Sequence, residues 1–158
     1  MNAVPALATP SLDDIKSRIL SDHREIRALL DEVANLTASI SLSKEPASAV
    51  GQLTDPIWRL FLFFDEHLVY EERRLVPLLL ETHDWGTIRA KRLKDEHHAQ
   101  REVLRAMIKE FDGRTKSTER LLDDARWLVD SFRQDMTAEE NELETIRDDG
   151  FVAGQCTG

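Results

Sequence analysis

The chain has 158 residues, enough for one domain with a proper hydrophobic core and too few to expect two. Its 41% hydrophobic and 32% charged residues are ordinary for a globular protein, and no apolar run reaches membrane-spanning length. A formal net charge of −9 argues against nucleic acid as a partner, because a phosphate backbone is bound by clustered Lys and Arg; the acidity serves solubility or a field that gathers cations.

Residues 1–10 lack a basic segment ahead of their small apolar residues, so they are read as a flexible tail rather than a secretory signal, and a cytoplasmic location is expected. Ser11 followed by Asp14 predicts a helix start, and Ile15, Ile19, Ile26, Leu30 and Val33 then recur at helical spacing as far as Ile40. Residues 41–54 hold Pro46 and Gly51 and are expected to form a loop with a helical turn in it. Asp55 before Pro56 starts a second helix, carried by Phe61, Phe64, Leu68, Leu75 and Leu78 to Thr82; Pro77 is expected to kink or end it. After a short connection a third helix is predicted over residues 87–111, stopped by Asp112-Gly113 with the glycine as left-handed cap. Ser117 or Thr118 caps a fourth, whose stripe is Leu121, Ala125, Leu128, Phe132, Leu143 and Ile146. Residues 149–158 read as a second tail. Its Cys156 is the sole cysteine, which excludes an internal disulfide and a cysteine metal cluster and leaves an exposed free thiol. No segment alternates like a strand. The expected fold is all-α, an up-and-down antiparallel four-helix bundle over residues 11–148.

Each apolar stripe, extended at 3.6 residues per turn, takes in polar residues. His23 falls inward on the first helix, His67 and Glu71 on the second, His97 on the third, and Asp135 and Glu139 on the fourth. One inward histidine taken singly is more often a hydrogen-bonded core residue. Three of them on different helices, with three carboxylates, are not explained that way. An uncompensated buried carboxylate costs on the order of several kcal/mol, and no lysine shares these stripes. Arg27 and Arg101 sit one position to the side, where their stems can carry the charge outward. Metal ions would satisfy the carboxylates and the neutral imidazoles together.

Reflection through the connecting turns brings Glu71 level with His97, and His97 level with Asp135; His23 falls short of His67 across the long first loop. An internal repeat supports the register. His67-x-x-x-Glu71-Glu72-x-x-Leu75 on the second helix matches Asp135-x-x-x-Glu139-Glu140-x-x-Leu143 on the fourth. Asp22-His23 with Arg27 on the first matches Glu96-His97 with Arg101 on the third. Two related helical hairpins around a dinuclear centre are expected.

These residues resemble the haemerythrin-like, or HHE cation-binding, family over positions 12–146. The clearest part is His67-x-x-x-Glu71-Glu72 followed by Leu75 and Pro77, with His23 upstream and Glu96-His97 downstream. The resemblance implies a non-haem di-iron centre: His23 and His67 on one iron, His97 and Asp135 on the other, Glu71 and Glu139 bridging. Three positions depart from the oxygen-carrying members. Arg101 stands where they have a second third-helix histidine, and Asp135 where they have histidine; Glu140 stands where they have aspartate, and Glu139 is preferred as ligand. More carboxylate and less imidazole make a harder site that favours ferric iron, so reaction with oxygen or peroxide, in sensing or a stress response, is expected rather than oxygen delivery.

Other metal-site signatures are missing. Phe64 and Lys94 occupy the positions three before His67 and His97, so the Glu-x-x-His pairs of ferritin-like bundles are absent, as is a His-Glu-x-x-His run. His83 and His98 are expected at the surface, and Tyr70 and Trp127 in ordinary packing. The alternative reading is a metal-free helical interaction module with a decayed site, and peroxide turnover would make the chain an enzyme. A homodimer is compatible with the fold class.

Overall fold

The structure, a computed structural model, describes residues 8–81 and 85–146. Four long helices carry it: α1 (Leu12–Ser41), α3 (Thr54–Glu81), α4 (Gly86–Gly113) and α5 (Thr118–Thr145). Between α1 and α3 lie a short helix α2 (Pro46–Ala49) and a single 3₁₀ turn (Val50–Leu53). No strand occurs among the described residues, and none of their helices is long and apolar enough to cross a membrane. The architecture is an all-α four-helix bundle.

Local chemistry sets the helix ends. The Ser11 side chain accepts from the Asp14 N–H at 3.1 Å while the Asp14 carboxylate accepts from the Ser11 N–H at 3.1 Å, a reciprocal cap that opens α1. Ser117 accepts from the Arg120 N–H and opens α5 with a one-way cap. Pro46 begins α2 at a position where its missing N–H has no intrahelical partner to lose. Val50 and Leu53 of the following turn are buried and close one end of the bundle.

Of the helix ends, one expectation is narrowed and one corrected. Pro77 does not end α3, which runs on to Glu81. The carbonyl that proline deprives of a donor belongs to Arg73, and both residues lie on the exposed face, where water can replace the lost bond. At the end of α4 the left-handed residue is Arg114, at φ 46°, and Gly113 stays helical. His83 and Cys156 lie outside the described residues.

The apolar core is in two pieces. One cluster joins Ile26, Leu30, Phe64, Leu68, Leu104, Phe132 and Met136 towards the α2 end; the other joins Ile15, Ile19, Leu75, Leu79, Leu93 and Leu143. On every long helix the residue that separates the two clusters is polar: His23, Glu71, His97 and Glu139. The polar layer is therefore insulated by hydrocarbon on both sides. The four helices do not pack equally around it: α1–α3, α1–α5 and α3–α4 are close neighbours, and α4–α5 is a loose seam.

Candidate metal centre

His23, His67, Glu71 and His97 are buried, each at 2% exposure or less, as the 3.6-residue stripes require. Donor atoms of His23, His67, Glu71 and Glu139 lie within 4.8 Å of one another. Glu71 is central. Its Oε1 is 3.0 Å from His67 Nε2 and its Oε2 is 2.8 Å from His97 Nε2, so one carboxylate spans two histidines on different helices. Glu139 approaches from α5, its Oε1 3.4 Å from His23 Nε2. The His23 and His67 rings meet edge to face at 5.0 Å, and Phe64, stacked on Phe132 at 4.7 Å, forms an apolar floor beneath His67.

The expected inward position of Asp135 is not found. Asp135 is exposed and accepts from Gln100 Nε2 at 3.1 Å, while the neighbouring Met136 is the buried residue. Reflection through the turns placed Glu71 beside His97, and it placed Asp135 at the level of His97, where Asp135 meets Gln100; what fails is the inward direction of the Asp135 side chain. The shortfall between His23 and His67 disappears because α2 and the 3₁₀ turn take up part of the chain between α1 and α3. His98 and Trp127 are exposed, and Tyr70 packs by the second core cluster with the Arg18 guanidinium 4.8 Å from its ring centre.

Each histidine turns its Nε2 into the layer and its Nδ1 towards a carboxylate. His23 Nδ1 is 2.9 Å from Glu140, His67 Nδ1 is 3.2 Å from Asp22, and His97 Nδ1 is 3.1 Å from Glu72. An ionised carboxylate only accepts, so each Nδ1 carries the hydrogen and donates it. The Nε2 atoms of His67 and His97 meet the Glu71 carboxylate at 3.0 and 2.8 Å, and a cation in the layer would take the place of hydrogen there; an outer carboxylate on Nδ1 is the arrangement that orients a metal-binding imidazole. The carboxylates are held in turn by arginines. Arg27 grips both oxygens of Glu140 at 2.6 and 3.2 Å, Arg101 grips Glu72 at 2.5 and 3.2 Å and also reaches Asp65, and Arg18 holds Asp22 at 2.9 Å.

Sequence reasoning took Arg101 as a histidine lost from the ligand set and did not foresee the roles of Asp22, Glu72, Glu140 and Arg27. The signal was present in the repeat. Arg27 and Arg101 each follow an inward histidine by four residues, and Glu72 and Glu140 each follow an inward glutamate by one. A helix that turns one residue inward sets its sequence neighbour about 100° round, facing the adjacent helix.

Protonation follows from this packing. Burial pushes the Glu71 carboxyl up, but contacts with Glu139, His67 and His97 hold it well below the ordinary range. Burial and the adjacent Glu71 charge push Glu139 well above it. Two carboxylates side by side cannot both keep a charge cheaply, so one carries the proton. Burial lowers His23; it also works against the charge on His67, but Glu71 and Asp22 outweigh it and raise that imidazole.

A cation fits this site: Glu71 Oε1 and Glu139 Oε1 are both buried and make no well-formed hydrogen bond, although His67 Nε2 and His23 Nε2 stand 3.0 and 3.4 Å away. Unpaired carboxylate oxygens facing imidazole nitrogens form a mixed O/N donor set suited to a first-row transition metal. The fold and site define a helical-bundle protein with a candidate metal-binding centre in its polar core layer. The sequence model described as "Hemerythrin HHE cation binding domain" matches residues 5–146, and the chain belongs to that haemerythrin family. Comparison with curated proteins and with solved structures returns no match.

Proposed function

We propose that the chain binds two non-haem iron ions and reacts with dioxygen or peroxide, in sensing or stress response rather than oxygen transport. The observation that carries the reading is the Glu71 carboxylate: fully buried, with one oxygen towards His67 and the other towards His97, it has the position of a bridge. In this proposal His23, His67 and Glu139 serve one ion, His97 serves the other, and Glu71 joins them. Glu139 rather than Glu140 is the fourth-helix ligand, since Glu140 is engaged by His23 Nδ1 and Arg27. Asp135, turned to solvent, is left out of the set.

An iron pair would supply reversible electron transfer and open coordination positions for a small oxygen ligand. The chain's own residues do the rest. Asp22, Glu72 and Glu140 keep three Nε2 lone pairs aimed at the layer, and the two apolar clusters keep bulk water from both of its faces. With three imidazoles among five donors the site is harder than one richer in histidine, which supports oxidation over reversible carriage. A cytoplasmic setting fits this reading.

The test is metal content per chain by mass spectrometry, on protein purified without chelator from iron-replete cells. About two irons per chain are expected from the two proposed positions. Absence of metal, with none taken up anaerobically as ferrous iron, would overturn the reading and leave the metal-free interaction module.

A further inference from the structure

The polar skeleton occurs twice. Arg18, Asp22, His23 and Arg27 on α1 have the spacing of Arg92, Glu96, His97 and Arg101 on α4; His67, Glu71 and Glu72 on α3 have the spacing of Asp135, Glu139 and Glu140 on α5. In the first hairpin Asp22 accepts from His67 and ties α1 to α3. In the second the equivalent pair is Glu96 and Asp135, two carboxylates, which cannot tie α4 to α5.

The α4–α5 seam beside them holds a cleft lined by Leu75, Leu93, Arg92, Glu96, Glu139 and Glu142. It encloses about 20 Å³, room for one water-sized particle, and Glu139 at its inner end belongs to the polar layer. Its outer rim is crossed by a contact between Arg92 of α4 and Glu142 of α5. Arg92 also lies 3.9 Å from Glu96. Arg92, Glu96 and Glu142 are each about half exposed, so this contact can open without unpacking the core.

We propose that this cleft is the port through which a divalent metal ion enters and leaves the centre, with Arg92–Glu142 as its latch and Glu96 as the carboxylate that receives the ion before Glu139. The inference rests on the metal-binding reading above. The carboxylates of Glu142, Glu96 and Glu139 line one cleft from rim to layer, and Glu139 Oε1 is buried and unpartnered where the cleft ends. A desolvating cation is thereby offered a carboxyl oxygen at each stage, and at the last it displaces the proton that Glu139 holds beside Glu71. The α1–α3 side offers no such path, because His67 and Asp22 fill the equivalent place.

The experiment mixes metal-free protein with Co(II), follows uptake by its visible absorption in a stopped-flow instrument, and follows release into excess chelator. Arg92→Ala should accelerate both uptake and release by about two- to fivefold, the size of one half-exposed ion pair, and leave the equilibrium affinity unchanged. Glu96→Gln should slow uptake. Arg59→Ala, which breaks the exposed Arg59–Glu32 pair between α3 and α1, is the control and should leave both rates at the wild-type value. Wild-type rates in Arg92→Ala, or the same acceleration in Arg59→Ala, would overturn the port while leaving the centre intact. Faster uptake with unchanged or slower release would show Arg92 acting by charge alone and overturn the latch. Failure of the wild-type protein to bind Co(II) would remove the metal-binding reading itself.

Discussion

The α1–α3 and α4–α5 hairpins share one pattern of arginine, carboxylate and histidine, and only the first closes. His67 is buried and donates to Asp22, whereas Asp135 in the equivalent place faces solvent and its counterpart Glu96 has no imidazole to accept from. The outer supports of the other two histidines are equivalent: Glu140 with Arg27 behind His23, Glu72 with Arg101 behind His97. A seam between helices in a polar layer closes when donor meets acceptor and loosens when two carboxylates meet. His67–Asp22 closes one side of this bundle, and on the proposal above the other side, where Asp135 replaces the histidine, is the passage.

The comparison can be broken most severely at the shared centre. Glu71→Gln and His67→Ala should each weaken metal binding by roughly a thousandfold, about 4 kcal/mol, with helical circular dichroism retained. Iron occupancy equal to wild type in either variant would remove Glu71 or His67 from the ligand set. Next come the outer carboxylates. Glu140→Gln and Glu72→Gln should each cost about 10- to 100-fold in metal affinity by calorimetric titration, since an orienting partner of a ligand histidine is lost. The loss should be larger for Glu140, because His23 belongs to the four-donor group. Equal losses would show the two hairpins serving the metal equally.

Asp135→His sharpens the comparison by giving Glu96 the donor that Asp22 has in His67. The metal-free variant should gain up to about 1 kcal/mol from its denaturant midpoint, the net worth of one exposed hydrogen bond or ion pair, with the Gln100–Asp135 bond given up. An unchanged midpoint would mean that Asp135 is not why the seam is loose.

The gentlest probe is pH. Glu139 has a raised folded pKa, so its contribution is fully present below the unfolded value of 4.5 and is lost as pH rises through the elevated one. Glu72 and Glu140 have lowered folded pKa values, so their contributions are present above 4.5 and lost as pH falls through the lowered ones. Metal-free protein should therefore lose stability on both sides, the upper limb at no more than about 1.4 kcal/mol per pH unit for one proton. Bound metal takes the proton's place between Glu71 and Glu139 and should abolish the upper limb. Thermal unfolding at stepped pH, with and without metal, reads this directly; an upper limb that persists with metal would place Glu139 outside the centre.

Local signals within single segments carried the four helices and the inward positions of His23, His67, Glu71 and His97 by periodicity, the cap at Ser11 by the Ser-Asp spacing, and the first loop by Pro46 and Gly51. These depend on spacing within one helix, and 3.6 residues per turn is a property of the chain itself. The side chains at 135 and 136 lie only about 100° apart, so a small rotation of α5 decides which of them is buried. That rotation is set by how α5 packs on α1 and how little it packs on α4, which no single stretch of sequence records. The partners of the histidines are likewise long-range: His23 meets Glu140 across 117 residues, and His97 meets Glu72 across 25. The sequence by itself determined which residues form the polar layer on the first three long helices, and on the fourth it offered Glu139 together with Asp135, which faces solvent. Only the tertiary structure decided which carboxylate stands behind which imidazole, and which seam stays open, because both depend on the relative rotation of helices far apart in the chain.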